Sequence, residues 1–195
     1  TVSHELRTPL ASIRGSLRLV QGGIGGPLPE VVHEMVGIAV SNTERLLQLI
    51  NDILDIEKIT AGKLELHLVD LEPVRLVTAA VDSLAGMASD AAVAIDVGAH
   101  APEGFLGDER RLVQVLANLL SNAIKFSPRG GEVRVESQTV GDAVRFSVTD
   151  RGPGIAGHLV SKLFQRFQQL DGSDSRPRGG TGLGLAISVR LARAM

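Results

Sequence analysis

The chain reads as an α+β protein of two domains: a helical hairpin, then an α/β sandwich built on a mixed sheet. Three observations predict this. Over the first 60 positions apolar residues recur every three or four residues, interrupted once by a glycine- and proline-rich break at 22–29. From Gly62 onward, short runs of period two are interleaved with helical stretches. Glycine then concentrates in two loops, at 150–154 and 179–184. The 195 residues suit one or two domains, and 44% apolar content is enough for a core.

In the first helix Leu6, Leu10, Ile13, Leu17 and Val20 step by four, three, four and three, the spacing of a seam against partner helices. His4 lies two residues before the seam, so it is expected to point to solvent or to a docking partner. Pro9 removes a backbone donor and is expected to kink the helix. Residues 22–29, Gly-Gly-Ile-Gly-Gly-Pro-Leu-Pro, form the connection. The second helix, 30–60, repeats the pattern through Val32, Val36, Ala39, Thr43, Leu46, Ile50 and Ile53. A hairpin of this kind leaves one seam uncovered. Either two copies pair into a four-helix bundle or the hairpin packs on its own chain; pairing through residues 1–62 is the expectation.

Behind Gly62, residues 63–69 alternate around Leu64, Leu66 and Leu68 and read as a strand. A helix over 71–88, a strand over 93–97 and a short extended piece over 104–107 follow. Residues 109–126 form a strongly amphipathic helix. Two strands, 132–139 and 143–150, turn at Gly141-Asp142, and a last helix starts near Leu183. Helices interleaved with hairpin strands predict a mixed sheet with helices on one face. No internal repeat is present.

Composition excludes several classes. The formal charge is −2 and the pI about 6.2, which gives no sign of nucleic-acid or polybasic membrane binding. There is no cysteine, hence no disulfide and no thiolate metal site. No apolar run approaches the roughly 18 residues of a membrane span, so any membrane attachment would come from segments outside this sequence, and a cytoplasmic location is expected. His33, His67, His100 and His158 lack ligand spacing. The first residue is not methionine and Met195 falls within helical pattern, so a piece of a longer protein is expected.

Two constellations carry chemistry. His4 beside Glu5, one turn from Thr8, offers a nucleophile with a general base; taken alone, it is equally an ordinary polar helix start. In the helix 109–126, Arg111, Val115, Asn118, Asn122 and Lys125 form one stripe beside a buried one of Leu112, Leu116, Leu119, Leu120 and Ala123. Amide oxygens there suit Mg²⁺, and Lys125 suits phosphate; in isolation an exposed polar face is the favoured reading of the stripe. Asp150-Arg151-Gly152-Pro153-Gly154 ends a strand, where glycines admit a flat ligand and a carboxylate accepts from an exocyclic amine. Residues 179–185, Gly-Gly-Thr-Gly-Leu-Gly-Leu, open the last helix as a phosphate cradle. Between the loops, 164–178 has the composition of a lid anchored by Phe164 and Phe167. No glycine loop is followed by Lys-Ser or Lys-Thr, and the spacing is not that of a dinucleotide fingerprint.

These motifs, in this order, resemble the transmitter core of two-component sensor histidine protein kinases. Residues 4–10, His-Glu-Leu-Arg-Thr-Pro-Leu, resemble the phosphoacceptor box, and 118–126 resemble the asparagine box. Residues 150–154, 164–167 and 180–184 resemble the first glycine box, the phenylalanine box and the second glycine box. The resemblance implies a dimerisation and phosphoacceptor domain at 1–62 that forms a four-helix bundle. It also implies a Bergerat-type ATP-binding domain at 63–195, expected to be C-terminally truncated because members usually continue into two further strands. It further implies ATP and Mg²⁺ as ligands and a response-regulator receiver domain as partner. His4 would be the phosphoacceptor, Glu5 its base, and Thr8 would help place water during hydrolysis of the partner's phosphoaspartate. Asn122 would ligate Mg²⁺, with Asn118 and Lys125 near the phosphates. Asp150 would take the adenine amino group, with Gly152 and Gly154 beneath the ring. Gly180, Thr181, Gly182, Leu183 and Gly184 would wrap the phosphates. An ATPase without a phosphoacceptor, and a nucleotide-binding scaffold without turnover, are the rival readings. The hairpin motif argues against the first, the intact Asn122, Asp150 and glycine positions against the second.

Overall fold

The computed structural model describes residues 2–168 and 181–195, with side chains from residue 5 onward. Backbone contacts divide the chain into two units, Thr1–Lys63 and Leu64–Met195. Among the described residues no helix is long and apolar enough to cross a membrane.

The first unit is a hairpin of α1 (Val2–Gln21) and α2 (Glu30–Thr60). Pro9 sits inside α1 without breaking it. Because proline has no N–H, the carbonyl of Glu5 loses its intrahelical partner there. The guanidinium of Arg7 donates to Asn51 Oδ1 at 2.9 Å, and Arg18 pairs with Glu44, so the helices are joined at two levels. Within the hairpin Val40 and Leu47 are buried, with Leu10, Leu17 and Leu54 half-buried. The other part of the seam faces outward: Leu6, Ile13 and Val20 on α1, and Val32, Leu46 and Ile53 on α2, are all exposed.

The second unit contains β1 (Val69–Leu71), α3 (Pro73–Ala91), β2 (Ala94–Val97), β3 (Phe105–Gly107), α4 (Glu109–Phe126), β4 (Glu132–Val140), β5 (Ala143–Thr149), α5 (Gly157–Val160) and α6 (Gly184–Ala194). One sheet has the order β2-β4-β5, with β2 parallel and β5 antiparallel to β4; β1 and β3 form a separate antiparallel ribbon. The α/β sandwich with a mixed sheet is therefore what the chain forms. Alternation on β4 turns Val133, Val135 and Ser137 into the core. Leu76, Val77 and Ala80 from α3, and Leu116, Leu120, Ala123 and Ile124 from α4, meet them there. The α6 helix packs on α4 through buried Ala186, Ile187 and Leu191.

Three details differ from the sequence reading. The strand expected over 63–69 lies instead at Val69–Leu71, sharing only Val69 with the expected range, because the pairing partner β3 stands opposite residues 69–71. The α3 helix starts at Pro73, not 71: proline is preorganised for the first turn, and the preceding residue, Glu72, is held extended. It ends at Ala92 in the left-handed region, φ 51, with no glycine to announce the stop.

Candidate functional site

The α4 helix is the element on which the site is assembled. Its start is fixed by Asp108, whose side chain accepts from Arg111 N–H at 3.1 Å, an N-cap. Its far half carries Asn118, Asn122 and Lys125. Each of the two glycine-containing segments then touches that half.

Asp150 follows the last residue of β5 and is exposed; its Oδ1 accepts from Gly152 N–H at 2.7 Å. Gly152 is glycine for a steric reason. A Cβ there would lie 2.7 Å from Asp150 Oδ1 and 2.9 Å from the carbonyl oxygen of Phe126, the last residue of α4. The Asp150 turn is thus laid directly on the end of α4, and its carboxylate is oriented by a backbone donor. Gly154 adopts φ +70 in open space, so its backbone is uncovered.

At the other segment, Thr181 Oγ1 accepts from Leu183 N–H at 3.2 Å and Leu183 is fully buried. Gly182 has φ +68, and a Cβ on it would come within 2.9 Å of the Phe167 carbonyl carbon. Phe167 N–H donates to Gly182 carbonyl oxygen at 3.0 Å, and Phe167 itself has φ 60. The phenylalanine segment and the glycine loop are therefore in backbone contact, with the Phe164 and Phe167 rings exposed. Asn118 completes the link to α4: its Nδ2 lies 3.3 Å from both Gly184 carbonyl oxygen and Ser188 Oγ. Gly180, and the lid expected over 164–178 beyond residue 168, lie outside the described residues.

The stripe read along α4 is divided in use. Arg111 is buried, 6% exposed, and its Nη1 donates to Gln114 at 2.9 Å; it belongs to the start of the helix, not to the site. Asn118 is engaged with α6. Asn122, one turn on, is half-buried and its amide has no hydrogen-bond partner among the described residues. Lys125 is half-buried, its Nζ 5.2 Å from the centroid of the Phe126 ring. Among the described residues no group of three or more His, Cys, Asp or Glu could hold a metal. One uncommitted amide oxygen still fits Mg²⁺, which takes few protein ligands and fills its remaining positions with phosphate and water.

His4, Glu5 and Thr8 lie in the other unit, on α1, with Glu5 and Thr8 exposed. Two participants escaped the sequence reading. Arg7 ties the phosphoacceptor motif to α2, and its place inside that motif was the available signal. Ser188, buried at position four after Gly184, donates to that glycine's carbonyl oxygen at 2.9 Å; nothing local distinguished it.

Residues 1–62 match the family described as His Kinase A (phospho-acceptor) domain. Residues 107–195 match that described as Histidine kinase-, DNA gyrase B-, and HSP90-like ATPase. The circadian input-output histidine kinase CikA of Synechococcus elongatus is 41% identical over 194 residues, covering 98% of this chain and 26% of the relative. The signal transduction histidine-protein kinase BarA of Escherichia coli K12 is 34% identical over 200 residues, 100% of this chain and 22% of the relative. The chain spans about a quarter of the length of these relatives. Among solved structures, full-length ShkA in complex with AMPPNP matches with a TM-score of 0.80 and 34% identity, covering 100% of this chain and 40% of that one. The Acinetobacter baumannii histidine kinase AdeS matches with a TM-score of 0.68 and 25% identity, covering 98% and 87%.

Proposed function

Because the chain belongs to the sensor histidine protein kinases and carries both parts of their transmitter core, we propose that it phosphorylates His4 from ATP and passes the phosphoryl group to an aspartate of a response-regulator receiver domain. The observation that carries this reading is the meeting of two ligand-type loops on one helix. The Asp150 turn abuts the end of α4, and the Gly182 loop is tied to α4 through Asn118.

In this reading residues 1–62 are the dimerisation and phosphoacceptor domain and 63–195 the ATP-binding domain. Asp150 accepts from the adenine amino group, its orientation set by Gly152 N–H, with Gly152 and Gly154 against the ring. Backbone donors at Gly180, Thr181, Gly182, Leu183 and Gly184 hold the phosphates at the start of α6. Lys125 supplies a positive charge beside them, and Asn118 holds α6 against α4. Asn122 is the protein ligand for Mg²⁺, which when bound neutralises charge on the phosphates.

A neutral ring nitrogen of His4 attacks the γ-phosphorus: a nitrogen–phosphorus bond forms, the bond to the β–γ bridging oxygen breaks, and ADP leaves. Glu5 takes the imidazole proton. The phosphoryl group then moves from His4 to a carboxylate oxygen of the receiver aspartate. Thr8, one turn on, hydrogen-bonds a water aimed at the aspartyl phosphate, which gives a phosphatase activity toward the regulator.

The chemistry of the label tests the reading. Full-length parent protein incubated with γ-labelled ATP should carry a label that acid removes and alkali leaves. A label stable in acid would point to a hydroxyl acceptor and overturn it.

A further inference from the structure

Asp108 does more than cap α4. One oxygen serves Arg111 N–H, and the other, Oδ2, accepts from the backbone N–H of His67 at 3.0 Å, 41 residues earlier in the chain. His67 precedes β1 and is the fourth residue of the second unit, close behind the boundary at Lys63 and Leu64. Asp108 is only 5% exposed. Burial pushes its pKa up, but the N–H groups of His67 and Arg111, then the charges of Arg111 and Arg110, more than offset this and hold it below the usual carboxylate range. It is therefore ionised near neutral pH, and a bond from an N–H to a charged, water-excluded acceptor is one of the stronger kinds.

The other end of the connection is also fixed. Ala61, Gly62 and Lys63 donate to Glu57, Ile59 and Lys58 at 2.9, 3.1 and 2.9 Å, closing α2 around Gly62 at φ 65. Between these anchors only residues 64–66 remain.

We propose that Asp108 is a positioning residue for phosphoryl transfer: by fastening His67 it keeps the connection between the phosphoacceptor hairpin and the ATP-binding unit three residues long. The proposal rests on the function proposed above. For tethered reactants the effective concentration falls roughly as the −3/2 power of linker length once the linker can span the sites. Releasing His67 frees the chain up to β1, lengthening the connection from residues 64–66 to 64–68. That is about a twofold loss for a flexible chain.

Two variants of the full-length parent test it. Asp108→Asn keeps an N-cap of equal quality but only one acceptor oxygen. His67→Pro removes the donor and leaves Asp108 untouched. In Asp108→Asn, hydrogen exchange over residues 64–68, read at the His67 amide, should accelerate at least about tenfold; in both variants kcat for autophosphorylation should fall about two- to fivefold with KM for ATP unchanged. Unchanged exchange would overturn the fastening. Faster exchange with unchanged kcat, or a KM that rises in parallel, would overturn the positioning role. If the wild-type parent forms no phosphohistidine, the proposed function fails, and exchange over 64–68 still decides whether Asp108 fastens the connection.

Discussion

Asn118 and Asn122 sit one helical turn apart on α4, and removing each amide should have a different consequence. Asn118→Ala deletes the bonds to Gly184 and Ser188 and should lower stability to urea by about 1–2 kcal/mol. Asn122→Ala removes no hydrogen bond among the described residues, so stability should stay within about 0.5 kcal/mol. It should instead weaken ATP binding about tenfold in calorimetry with Mg²⁺ and not at all in EDTA. Equal losses with and without Mg²⁺ would remove Asn122 from the metal site. The 3.6-residue period put Arg111, Asn118 and Asn122 on one stripe, which is where local spacing stops being informative. Asn118 meets partners 66 and 70 residues away, and Arg111 turns to Gln114 beside the capped end. The glycine at 182 was legible as a loop residue. Its contact with the Phe167 backbone was not, because that depends on two segments folding together.

At the scale of elements, the hairpin shows which half of a heptad it can satisfy alone. Val40 and Leu47 are buried, whereas Leu6, Ile13, Val20, Val32, Leu46 and Ile53 remain on the surface at sevenfold spacing. Two copies pairing these rows would cover them. Residues 1–62 should therefore scatter light as a dimer at micromolar concentration. Leu46→Glu or Ile53→Glu should yield monomer or unfold the hairpin, each buried apolar side chain contributing about 1.5–3 kcal/mol. A wild-type monomer would contradict the pairing. Both helices of this hairpin were readable from period alone, since the backbone bonds of a helix span four residues and its apolar stripe is written within the helix itself. The strand β1 was not. Alternation at Leu64, Leu66 and Leu68 is compatible with pairing, but the ladder falls on residues 69–71, where β3, more than thirty residues on, stands opposite.

For the molecule as a whole, a change of period at Gly62 announced two units, and the backbone contacts divide at Lys63 and Leu64. What composition cannot encode is how the chain is fastened at the start of the second unit, since the Asp108 carboxylate and the His67 N–H are distant in sequence. The central claim is that one unit binds ATP and the other receives its phosphoryl group on a single histidine. The most direct test is His4→Gln in the full-length parent, with labelling from γ-labelled ATP and ATP affinity by calorimetry measured on the same preparation. Labelling should vanish while affinity stays within about twofold of wild type. Label persisting at the wild-type level, or affinity lost together with it, would contradict the account.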